Sequence, residues 1–228
     1  MFKFKVITII SIILTLIFSF FSTCFAEEST YVWSNNSNET ILTNSDISEN
    51  NNSLNLESES AILIEQSTGQ ILYSHNEHEQ LRPASVTKVM TMLLIMESID
   101  SGKISLTDLV PCSENASSMG GSQIWLDPKE TLSVDEMLKA ICVASANDCA
   151  VAMAEYIAGS QEAFVQMMND KAKELGMNDT CFKNCHGLDE DGHITSSYDI
   201  ALMSRELLNK HSQITNYTTI WLDSLRDR

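Results

Sequence analysis

The sequence predicts an α+β domain, a β-hairpin followed by a helical lobe. Two observations carry this. "SAILIEQSTGQILYSH" contains two short β-prone runs, about 60–66 and 70–75, around a Ser-Thr-Gly turn. From Pro83 onward the apolar residues recur at helical spacing, and caps and glycines punctuate them. At 228 residues and 43% hydrophobic content, the chain can build one good core, or a core with a small second lobe. It contains no internal repeat.

The segments ahead of the hairpin read differently. Lys3 and Lys5 precede an apolar stretch from Val6 to Phe21 and then small residues, the layout of a secretory signal over residues 1–26. The expected cleavage follows Ala26, with Cys24 at the small −3 position. The competing reading is an uncleaved anchor that associates with the membrane, since the stretch is near the lower limit for a span, ~17 residues. Thr23 makes Cys24 a poor lipidation site. Residues 27–58 are rich in Asn, Ser and Glu and contain no Lys or Arg, which suits a disordered acidic linker. The folded domain is expected over 59–228.

Pro83 suits the first turn of a helix. From Val86 to Ile99 apolar residues lie on nearly every face, so this helix is expected to be central and buried. Gly102 supplies its stop. Residues 111–132 read as a long connection. Ser133-x-x-Glu136 forms a capping box for a helix to about Val143. The chain pauses at "ASANDC" and resumes as a helix over about 148–158, ended by Gly159. Ser160 opens a helix ending at Gly176, and "TSSYDIALMSRELLNKH" is a further amphipathic helix.

The formal charge of −17 excludes a nucleic-acid partner, which needs clustered Lys and Arg. Of six cysteines, Cys24 falls in the signal; the remaining odd number is a poor disulfide framework. Cys142 and Cys149 read as small core residues. Cys181, Cys185 and His186 lack a second ligand pair for zinc. His75 and His78, at H-x-x-H spacing among turn residues, are expected to face solvent. No metal and no organic cofactor is expected.

In "RPASVTKVMT", Ser85 and Lys88 stand three residues apart on one helix face. Ser85 lies in the first turn, where free backbone N–H groups and the helix dipole favour negative charge. Burial disfavours a charged lysine, which makes Lys88 available as a general base beside a hydroxyl nucleophile. The alternative is a lysine whose ammonium reaches solvent past a buried stem, and S-x-x-K by itself favours that alternative.

The wider context shifts the balance. "PASVTKVMT" followed by "SANDCAVAMAEYIAG" resembles the serine-type D-alanyl-D-alanine carboxypeptidases, the low-molecular-weight penicillin-binding proteins of the peptidase S11 family. Their superfamily signatures are S-x-x-K, S-D-N and K-T-G. Ser85 to Lys88 match the first, and Ser145-Ala146-Asn147 match the second in the S-x-N form. "LRPAS", "MGGSQIWL" and "NCHGLDEDGHITSSYDIALMSREL" extend the likeness from residue 59 onward. The resemblance implies a penicillin-binding/β-lactamase-like transpeptidase fold. Ser85 would be the acylated nucleophile, Lys88 its base and Ser145 a proton relay to the leaving amine. Asn147 would hold Lys88 and bond the substrate's peptide group. The His186-Gly187 region would be a structural loop beside the cleft. Substrate and inhibitor would be a peptidoglycan pentapeptide ending in D-Ala-D-Ala and β-lactam antibiotics, met outside the cytoplasm in the cell envelope or secreted.

The third signature is absent, because no lysine here is followed by Thr-Gly or Ser-Gly. The expectation is therefore a C-terminally truncated family member with an incomplete fold: hairpin and helical lobe present, later sheet strands missing, activity impaired. A non-catalytic remnant that binds peptidoglycan or penicillin is the alternative. A β-lactamase-related hydrolase is disfavoured by Ser145-Ala146-Asn147 and the His-Gly-Leu region.

Overall fold

The hairpin grips the last long helix, and a buried helix runs between them and the rest of the lobe. The computed structural model describes residue 54 and residues 56–225, all within one unit, Asp46–Arg228. The expected signal segment and nearly all of the linker lie outside the described residues.

Strands β1 (Ala61–Ile64) and β2 (Ile71–His75) pair antiparallel, with Leu63 opposite Tyr73 and a register shift between Leu63 and Ile64. The turn between them is built by Glu65, whose carboxylate accepts from the backbone N–H groups of Ser67 and Thr68 at 3.0 and 2.6 Å. Arg205 then donates to the Gln66 and Ser67 carbonyls at 2.8 and 2.7 Å, which fastens the turn to α6 (Ser197–Lys210).

A 3-10 turn at Ala84–Thr87 leads into α1 (Lys88–Asp100). As its all-round apolar pattern requires, α1 is buried from Met90 to Met96. It packs against α6 and against α4 (Asn147–Ala158) and α5 (Gln161–Glu174). The core combines Met90, Leu93 and Ile95 of α1 with Met137 and Leu138 of α3 (Val134–Ala144), Met153 of α4 and Phe164 of α5. The capping box forms as expected: Ser133 Oγ accepts from Glu136 N at 3.2 Å, and Glu136 Oε2 accepts from Ser133 N at 2.8 Å.

The stretch read as a long connection is more structured than its sequence suggests. Strands β3 (Leu109–Pro111) and β4 (Thr131–Ser133) form a second antiparallel pair, and α2 (Glu114–Ser117) is a single turn between them. Strands of three residues are too short to show a period-2 pattern, and their pairing spans about twenty residues of loop. The short α7 (Thr215–Thr218) closes the described chain against α3.

All five described cysteines are free thiols, Cys149 in the core and Cys142 partly buried with its thiol 3.2 Å from Met92 Sδ. His75 and His78 are exposed, His78 lying 2.7 Å from Asp179. No helix among the described residues is long and apolar enough to cross a membrane.

Candidate active site

Pro83 turns the chain toward α1, and Ala84 then adopts φ +46. A left-handed alanine costs of order 1–3 kcal/mol and persists only where its surroundings hold it. Ser85 follows it at the exposed end of the 3-10 turn, with Lys88 one turn further along. The Lys88 side chain is turned inward and is only 3% exposed. Its Nζ donates to Ser85 Oγ at 3.3 Å and to the His186 carbonyl at 2.7 Å.

Neutral groups surround this amine. Burial pushes its pKa down from 10.5 to about 8. Burial also pushes the neighbouring Cys185 thiol up to about 12 and the His186 imidazole down to about 4, so neither carries charge near neutral pH. No carboxylate pairs with Lys88 among the described residues. The geometry joins an exposed hydroxyl to a dry amine that loses its proton within reach of neutral pH, the requirement for activating a weak nucleophile.

The loop 184–188 completes the wall. Thr91 Oγ1 donates to the Cys185 carbonyl at 2.6 Å, one turn beyond Lys88 on α1. Gly187 has φ +95, and a Cβ there would stand 1.9 Å from the Ala84 carbonyl oxygen and 3.0 Å from Ser85 N. Only glycine allows so close an approach to the Ala84 and Ser85 backbone. Behind this, His193 Nδ1 accepts from Lys183 N at 2.9 Å, so Nε2 carries the proton and donates to Thr87 Oγ1 at 2.7 Å.

The α3–α4 junction supplies the second motif. Ser145 caps α3 in the left-handed region, φ +55 and ψ 37, and is partly exposed. No hydrogen bond joins its hydroxyl to Ser85 or Lys88 among the described residues. Asn147 is buried at the start of α4, with Nδ2 donating to the Gly120 carbonyl at 2.7 Å and its own N–H donating to the Ser122 carbonyl at 2.8 Å. Its Oδ1 is buried, and no donor among the described residues reaches it. The structure therefore joins Ser85 to Lys88 but does not tie Asn147 to Lys88. The Lys88 amine donates to the His186 carbonyl instead, and the Asn147 Oδ1 that could accept from it has no donor among the described residues.

Asp148 was not singled out by the sequence, yet it holds this region together. It is fully buried and accepts from Ile124, Leu126 and Cys149 N–H at 3.2, 3.1 and 2.9 Å, which pins the 119–126 loop to α4. A Cβ on Gly121 of that loop would meet Asn147 Nδ2 at 2.8 Å and Leu188 Cδ2 at 3.3 Å, so this loop, Asn147 and the 184–188 loop converge. Thr87, Thr91 and His193 were likewise missed, because hydroxyls and histidines that serve backbone groups follow no spacing rule.

Comparison with known proteins gives consistent results. The family description "D-alanyl-D-alanine carboxypeptidase", peptidase S11, matches residues 46–226. Over 171 residues the chain is 57% identical to D-alanyl-D-alanine carboxypeptidase DacF of Bacillus subtilis, covering 75% of this chain and 44% of that protein. Its fold is similar to the crystal structure of the D-alanyl-D-alanine carboxypeptidase DacD from Francisella tularensis, with TM-score 0.71 and 33% identity over 72% of this chain and 40% of the other. It is also similar to penicillin-binding protein D2 from Listeria monocytogenes in its ampicillin-bound form, with TM-score 0.65 and 28% identity over 73% of this chain and 68% of the other. The chain spans less than half the length of the curated relatives it matches.

Proposed function

Because the chain belongs to the D-alanyl-D-alanine carboxypeptidase family, peptidase S11, we propose that its site performs serine acyl transfer on peptidoglycan stem peptides ending in D-Ala-D-Ala. The observation that carries this reading is the buried Lys88 amine, 3.3 Å from the exposed Ser85 hydroxyl and paired with no carboxylate among the described residues.

The roles rest on the family resemblance and, for Ser85 and Lys88, on their contact. Lys88 takes the proton as Ser85 Oγ attacks the carbonyl between the two D-alanines. The amide C–N bond breaks, the departing amine of the terminal D-alanine gains a proton by way of Ser145, and an ester remains on Ser85. Water then hydrolyses that ester. The buried Asn147 Oδ1 is suited to accept a substrate N–H, since an unpaired buried acceptor costs free energy until a donor arrives. A β-lactam would acylate the same hydroxyl. The reading needs no metal or organic cofactor, and it places the protein outside the cytoplasm, delivered by the segment around Val6–Phe21.

These 228 residues contain no Lys-Thr-Gly. In the family that motif faces the substrate carboxylate, and loss of an oxyanion donor costs about 2–4 kcal/mol of barrier. The second reading is a site that binds peptidoglycan or acylates slowly without efficient turnover, as a site acting without that motif would. Intact-mass analysis after benzylpenicillin tests the nucleophile. A penicilloyl adduct on Ser85, lost in Ser85→Ala, is expected. An adduct that survives the substitution refutes the assignment, and slow D-alanine release alongside a Ser85 adduct supports the second reading.

A further inference from the structure

We infer that Asn184 is a positioning residue for the Ser85–Lys88 pair, because its amide folds the 184–188 loop into the shape that sets the His186 carbonyl on Lys88 and the Gly187 backbone against Ala84 and Ser85. This deepens the proposed function and rests on its assignment of Lys88 as base.

Asn184 is 3% exposed and uses its whole amide on the loop. Oδ1 accepts from Gly187 N at 2.7 Å and from His186 N at 3.3 Å. Nδ2 donates to the Leu188 carbonyl at 2.9 Å and to Glu190 Oε2 at 3.3 Å. The two accepted bonds aim the 186 and 187 peptide units inward. The two donated bonds close the turn and hold the Glu190 carboxylate, just beyond the loop, on the Asn184 amide. The His186 carbonyl then receives the Lys88 amine at 2.7 Å, and Gly187 lies against the nucleophile's backbone.

From α1, Thr91 anchors the same loop through Cys185 but touches neither residue 186 nor residue 187. The titratable groups facing Lys88 are the Cys185 thiol and the His186 imidazole, both neutral near pH 7. The Leu188 N–H donates to His186 Nδ1 at 3.1 Å and also braces the loop, but among the described residues only the Asn184 side chain bonds the 186 and 187 N–H groups.

The test needs no turnover. Lysine labelled with 13C at Cε is incorporated into the full chain, Lys88 is identified by its loss in Lys88→Arg, and its titration is followed by NMR. In the unmodified protein a midpoint near 8 is expected. In Asn184→Ala the midpoint moves to about 9 or above, toward an ordinary lysine, while Tyr217→Phe, which loses a remote bond to Asp135, leaves it in place. Asn184→Ser, able to accept one of the two N–H bonds, gives a smaller upward move and decides the matter if the alanine variant does not fold. An unmoved midpoint in a folded Asn184 variant overturns the inference while leaving the proposed base intact. A midpoint near 10.5 in the unmodified protein overturns both.

Discussion

Lys88 has a carbonyl, a hydroxyl, a thiol and a neutral imidazole for neighbours, and its chemistry follows from that company. With a pKa of about 8, about a tenth of the molecules carry the free amine at pH 7. Lys88→Ala removes the proposed base, and a fall in benzylpenicillin acylation of about 10²–10⁴-fold is expected, measured by adduct mass against time in a variant whose circular dichroism is unchanged.

His186 makes a prediction of its own. Its folded pKa lies near 4, below the ordinary 6.5, so the unfolded chain binds the extra proton first as pH falls. Its contribution to stability is therefore full above pH 6.5 and is lost toward pH 4. His193, shifted down by burial as well, adds to the same slope. His186→Gln is expected to flatten the fall in melting temperature across that window, measured by thermal denaturation. The Ser85–Lys88 pair was legible because helix geometry forces i and i+3 together. The His186 carbonyl was not legible, because a backbone acceptor leaves no mark on the sequence and its loop lies 98 residues away.

The capped helices followed their sequence closely. Ser133 and Glu136 form the reciprocal box that their spacing announces, and Ser160 accepts from Ala163 N at 3.1 Å as an N-cap should. Ser133→Ala is expected to cost about 1 kcal/mol, read as a lower denaturation midpoint, with Ser85 acylation unaffected because the cap lies at the opposite end of α3 from Ser145. The 184–188 loop follows another rule. Its fit depends on Gly187, where an added Cβ meets main chain rather than a flexible side chain. Gly187→Ala is expected to destabilise by more than about 2 kcal/mol, from left-handed strain and overlap together, and to abolish the adduct. A stable, fully acylated Gly187→Ala protein would show that the loop need not touch Ala84. Strands β3 and β4 escaped sequence reading because three-residue strands are fixed by a partner far along the chain, not by local preference.

Taken whole, the molecule has a well-filled helical lobe and a thinly covered hairpin. Leu63 and Leu72 are 54% and 52% exposed, on a sheet of two strands among the described residues. A two-stranded ribbon is marginal without further cover, and an apolar edge invites pairing with another chain. A polypeptide of residues 59–228 is therefore expected to self-associate, and Leu63→Lys to lower that tendency, measured by light scattering against concentration. The α+β class and the central buried helix were readable from the apolar pattern. The family likeness of "PASVTK" pointed to the Ser85–Lys88 pair that the fold brings into contact, but the way the loops close around Lys88 required the fold.

The proposed chemistry depends on a neutral Lys88 activating Ser85. The direct measurement is the rate of benzylpenicillin adduct formation on Ser85 as a function of pH. It is expected to climb roughly tenfold per pH unit at first, then level off above the Lys88 pKa of about 8. A rate that stays flat through that range would contradict the central claim.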